Sequence, residues 1–107
     1  MKEVRYDILD EVEKWLFSTF SEYGIVKDLF LIGSILTNQI NFNDIDIVQN
    51  INFDNNDELK IYSKIVKNIK DRFFAKFQTS LHITTFTQYE SEELKEFMTK
   101  NKYLKII

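Results

Sequence analysis

Leu29-Phe30-Leu31-Ile32-Gly33-Ser34, then nine residues, then Asp44-Ile45-Asp46-Ile47-Val48, is the stretch whose reading decides the fold. The continuous apolar run Leu29 to Ile32, bounded by Asp28 and Gly33, predicts a strand buried on both faces. From Asp44 to Val48 acid alternates with isoleucine before the segment ends apolar, which predicts a second strand. Alternate strand residues lie on one side, roughly 6–7 Å apart. Asp44 and Asp46 therefore share a face, and Ile45 and Ile47 turn the other way into the core. Two like charges on a short strand repel, and Asp is a poor strand former. A hard cation such as Mg²⁺, or Mn²⁺ in its place, offsets that cost because it takes carboxylate oxygens and completes its shell with phosphates. At the end of the first strand Gly33 lets a phosphate approach the backbone, and the Ser34 hydroxyl can donate to it. Amides of a helical turn within Ser34 to Asn43 would add to an anion site.

Working outward, Val4, Ile8, Leu9, Val12, Leu16, Phe20 and Tyr23 recur at helical spacing and predict an amphipathic helix closed by Gly24. Leu59, Tyr62, Ile65, Val66, Ile69 and Phe73 predict a second helix over about 57–74. Ser80 to Thr87, rich in Thr, Ile and Phe, reads as a third strand. Thr87-Gln88-Tyr89-Glu90 has the form of a capping box, Ser91 is an alternative cap, and a short helix carrying Leu94, Phe97 and Met98 follows. The tail Tyr103 to Ile107 is too short to assign. The order helix, strand, strand, helix, strand, helix argues an α+β fold, an α/β-like sandwich in which helices flank a small mixed sheet.

The 107 residues are one domain's length, residues 1–107 forming a single unit. An apolar fraction of 44%, with ten phenylalanines, excludes a chain too polar to build a core. No cysteine means no disulfide and no thiolate zinc site, and a single histidine, His82, excludes a multi-histidine metal centre. With 14 basic against 17 acidic residues the chain lacks the surplus that duplex binding draws on, so long nucleic acids are not expected partners. No apolar run spans a bilayer and the N-terminus lacks a secretory apolar block, so a soluble cytoplasmic protein is expected.

Ile32-Gly33-Ser34 followed at this interval by Asp44-Ile45-Asp46-Ile47 resembles the signature of the nucleotidyltransferase superfamily that includes DNA polymerase beta. In so short a chain, over about 23–86, the pattern looks most like the minimal nucleotidyltransferase (MNT) domains. The resemblance implies a mixed sheet of three or more strands with flanking helices. It implies that Asp44 and Asp46 are catalytic metal ligands and that Gly33 and Ser34 hold the triphosphate of a nucleoside triphosphate, ATP foremost. The implied reaction transfers a nucleoside monophosphate to a hydroxyl of a protein or small molecule. It also implies, for bacterial relatives, a helical HEPN-type partner in a toxin–antitoxin pair.

Two departures stand against the family pattern. The third carboxylate that completes the metal site and activates the attacking hydroxyl falls on the Ser80 to Thr84 strand, where this chain has His82, and no Asp or Glu lies between Asp71 and Glu90. The loop 35–43 also lacks the arginine and second glycine of many relatives. His82 is either a general base or metal-side group, or a structural histidine. Thr84 shares its face. Lys60, Lys64 and Lys67 form one side of the second helix, a solvated face or a binding one. Trp15 and Phe17 fall off the apolar stripe of the first helix and predict a partner or self-association surface, allowing a homo-oligomer. Three readings remain open: a transferase, a degenerate relative acting as a protein-binding module, and an unrelated small α/β domain.

Overall fold

A computed structural model of the chain describes residues 2–36 and 44–107, with the side chains of residues 2–7 and of Ser34 outside the description. Its elements are helix α1 (Lys2–Phe20), strand β1 (Val26–Ile32), the single 3-10 turn η1 (Ser34–Leu36), β2 (Asp44–Ile51), α2 (Asn56–Phe77), β3 (Ser80–Thr87), α3 (Ser91–Thr99) and β4 (Tyr103–Lys105). They make an α+β fold around a four-stranded mixed sheet of order β3-β2-β1-β4. β1 runs antiparallel to both β2 and β4, while β2 and β3 run parallel through eight consecutive pairs from Asp44↔Ser80 to Ile51↔Thr87.

The expected order of elements is present, with one addition. The tail residues Tyr103–Lys105 form a fourth strand on the outer side of β1, pairing Phe30↔Lys105 and Ile32↔Tyr103. Ends differ more than types. β1 begins at Val26 rather than Leu29, and β2 continues through Gln49 and Asn50 to Ile51. Neither residue favours a strand, but Gln49 is fully buried, its amide donating to Thr85 Oγ1 (3.0 Å) and its carbonyl accepting from the Tyr62 hydroxyl (2.5 Å). Burial raises the Tyr62 hydroxyl above the usual phenol range, with nearby Tyr23 adding to the shift.

The core lies on one face of the sheet. Leu29 and Leu31 of β1, Ile45, Ile47 and Ile51 of β2, and Leu81 of β3 meet Val12, Leu16 and Phe20 of α1 and Tyr62, Ile69 and Phe73 of α2. The isoleucines between the two acids therefore point inward, as their alternation requires, and the acids point to the opposite face. That face carries its own smaller apolar layer, in which Phe30 packs on Tyr103 and Phe86 on Phe97 of α3. α2 links the parallel pair β2 and β3 across the core face, and α3 links β3 to β4 across the other. The two crossovers travel in opposite directions on opposite faces, which a common hand demands.

Three expectations are corrected. Gly24 does not close α1, which ends at Phe20. Its φ is not positive and a Cβ there would meet open space, so no conformational freedom is being used. Trp15 is not an exposed aromatic, because its ring sits edge-on to Phe73 (5.3 Å) and Phe77 (6.1 Å) under the Arg72 guanidinium. Phe17, by contrast, is exposed as expected. The capping box is only half formed. Glu90 reaches back to accept from the Thr87 amide (3.0 Å), yet the Thr87 hydroxyl, which donates to the same carboxylate, accepts from the Tyr89 amide (3.3 Å). The Glu90 amide donates instead to the Thr87 carbonyl (3.0 Å), and α3 starts after Glu90.

Candidate functional site

The register of three strands gathers the residues singled out from the sequence. Ile32, the last residue of β1, pairs with Asp46 of β2, and Asp46 pairs with His82 of β3. Gly33 follows Ile32 directly, and Asp44 opposes Ser80 two residues along. Gly33, Asp44, Asp46 and His82 thus meet at one end of the sheet, on the face opposite the main core.

Gly33 is held at φ 90°, a conformation open to glycine and costly for other residues. A Cβ there would stand 2.7 Å from Asp46 Oδ2, inside any tolerable contact. Two independent constraints therefore favour glycine, the positive φ and the closeness of the Asp46 carboxylate to where a Cβ would stand. The chain then turns through η1, the Leu36 amide donating to the Gly33 carbonyl (3.1 Å). Ser34 heads that turn, while the position of its hydroxyl and the remainder of the loop, 37–43, lie outside the described residues.

Asp46 is half-buried. His82 Nδ1 stands 3.7 Å from Asp46 Oδ1, with the imidazole side chain 68% exposed. Burial raises the Asp46 carboxyl above the ordinary carboxylate range, and Asp44 adds to the rise, while His82 partly opposes it. The charged form of Asp46 thus carries a cost, set mainly by its burial, that His82 does not fully offset. A cavity of about 360 Å³ opens beside them, lined by Asp44 and His82 and by Lys70, Asp71, Phe74, Ser80 and Leu81. The α2 residues of this wall were not singled out from the sequence, because helical periodicity marks Lys70 and Asp71 only as solvent-facing. Thr84 continues the His82 face two pairs further along β3, opposite Val48, but does not line the cavity.

The donor set fits Mg²⁺ in one specific way. Among the described residues no group of three or more His, Asp or Glu side chains could hold a metal ion, so no all-protein cage is present. Two carboxylates beside a glycine backbone suit an ion that keeps most of its shell from water and substrate phosphate, the usual habit of Mg²⁺. A neutral imidazole is a poor Mg²⁺ ligand, so the two carboxylates, and not His82, are the residues that would hold the ion. Among the described residues, no helix is long and apolar enough to cross a membrane. Compared with known proteins, the chain matches no family model, no curated protein and no solved structure.

Proposed function

We propose that the chain is a minimal nucleotidyltransferase-like domain that binds a magnesium–nucleoside triphosphate, ATP foremost, between Gly33 and the Asp44–Asp46 pair. The observation that carries this reading is the approach of the Gly33 backbone to Asp46, at a φ that is costly for other residues, where β1 ends. A phosphate over a bare glycine and a metal on the adjacent carboxylates is the equipment of metal-assisted phosphoryl chemistry. When bound, Mg²⁺ would neutralise charge on the transferring phosphate. Asp44 and Asp46 would hold it, Gly33 and Ser34 would seat the triphosphate, and His82 would take the proton of an acceptor hydroxyl. The acceptor oxygen attacks the α-phosphorus, the bond to the bridging oxygen breaks, and pyrophosphate leaves. A HEPN-type partner as acceptor belongs to the same proposal.

The test is calorimetry of ATP with Mg²⁺ against wild type and Asp46→Asn in parallel. Saturable, magnesium-dependent binding that the variant loses is the expected result. Absence of binding in the wild type, for ATP and the other nucleotides alike, overturns the reading.

A second reading has one observation in its favour, the presence of His82 on β3 in place of a third acid. In this reading the domain has lost catalysis and serves as a protein-binding module. His82→Asp separates the two. A gain in transfer activity marks a degenerate site restored, and a loss marks His82 as a working base.

A further inference from the structure

The cavity beside the paired acids holds a hydroxyl that the proposed reaction leaves unused. Ser80 opens β3, is exposed, and pairs with Asp44 of β2, while His82, two residues on, pairs with Asp46. Ser80 and His82 share a face of β3 roughly 6–7 Å apart, and neighbouring strands lie about 4.8 Å from one another. Each of the two therefore sits one strand spacing from a carboxylate-bearing residue. Asp44, Ser80 and His82 all line the cavity of about 360 Å³, and among its described lining residues Ser80 alone carries a hydroxyl. The other hydroxyls of β3 are placed elsewhere. Thr84 stands opposite Val48 outside the cavity, Thr85 accepts from buried Gln49, and Thr87 donates to Glu90.

We propose that Ser80 is an acceptor hydroxyl for the chain's own bound nucleotide, so that the domain nucleotidylates itself. The inference rests on the functional reading above and names a substrate for that same site. The Ser80 oxygen attacks the α-phosphorus of ATP seated between Gly33 and the two acids, the bond to the bridging oxygen breaks, and pyrophosphate leaves. The hydroxyl proton passes to His82, the role already proposed for it, and the product is a serine–adenylate phosphodiester. Nucleophile and nucleotide sit on adjacent strands of one sheet, which makes the step unimolecular and spares the entropy that a diffusing acceptor must lose.

The experiment incubates the purified chain with ATP and Mg²⁺ and measures its intact mass, alongside calorimetry of the same nucleotide. The expected result is a gain of one adenylate per chain, mapped to Ser80 by peptide fragmentation and stable to acid, as a phosphodiester is. It should form at a rate independent of chain concentration. Ser80→Ala and Asp46→Asn should each lose the adduct, the Ala variant with far-UV circular dichroism and Tm unchanged. One readout needs no turnover: substoichiometric Mn²⁺ without nucleotide should broaden the Ser80 and His82 amide resonances along with those of Asp44 and Asp46. ATP binding without an adduct, an acid-labile adduct on Lys70 or His82, a rate that rises with chain concentration, or a Ser80 resonance untouched by Mn²⁺ each overturns the inference and leaves the nucleotide-binding reading standing. Absence of ATP binding overturns both.

Discussion

At the scale of single residues, Gly33 and Asp46 make opposite demands on stability. Gly33→Ala forces a Cβ onto Asp46 Oδ2 and a side chain into φ 90°, so the variant should lose about 1–3 kcal/mol by chemical denaturation. Asp46→Asn should do the reverse. The Asp46 carboxyl is raised in the folded chain, above all by burial. Its contribution is therefore fully present below the unfolded value of about 3.9 and is lost as pH rises through the folded value. In metal-free buffer the Asn variant should match wild type in acid and become the more stable of the two as pH rises toward neutrality. Paired Tm measurements across that range check it, and a difference constant with pH contradicts it. The alternation of Asp44, Ile45, Asp46 and Ile47 made the inward and outward faces legible from the sequence. The closeness of Gly33 to Asp46 was not, because it depends on strand register, which sequence pattern does not specify. Gln49 escaped notice for the related reason that a buried glutamine is recognisable only once its partners Tyr62 and Thr85 are in place.

At the scale of elements, types followed from periodicity and ends from chemistry that periodicity does not carry. α2 begins where Asn55 accepts from the Glu58 amide (2.9 Å) and Glu58 accepts from the Asp54 amide (2.8 Å), a reciprocal arrangement close to the start expected near Asp57. It ends late because Gln78 occupies the left-handed position, φ 60°, its amide donating to Phe74 O. Nothing in the sequence marks Gln78 as a terminator, since that position is usually glycine. Gln78→Gly should stabilise the protein by about 0.5–1 kcal/mol, read as a rise in Tm. The tie between α2 and β2 runs the other way. Tyr62→Phe removes the donor to buried Gln49 Oε1 and should cost about 1–3 kcal/mol, read by urea denaturation. A change below a few tenths would mean that water reaches Gln49. β4 was illegible because three residues carry no period. Pairing with β1 makes it a strand.

At the scale of the whole molecule, a single layer of core joins the elements that position the site. β1 delivers Gly33, β2 delivers the acids and β3 delivers His82, and all three strands bury their opposite faces against α1 and α2. Asp44, Asp46 and His82, with Gly33 at the end of β1, therefore sit on strands whose other face is the main core. Phe73 is the keystone of that layer, fully buried, edge-on to Trp15 of α1 and tilted against Phe77. Because Trp15 is the chain's one tryptophan, its fluorescence reports the α1–α2 contact directly. If one core governs the molecule, fluorescence and far-UV circular dichroism should trace the same unfolding curve, as two-state domains of this size do. Phe73→Ala should move both curves together to lower denaturant by about 3–5 kcal/mol, a large part of the 5–15 kcal/mol that holds a typical domain folded. A fluorescence transition that precedes the dichroism change would show α1 peeling from the sheet before the strands separate. The acids, the glycine and the histidine would then keep their geometry after the helix is lost, and their order would come from the strand register alone.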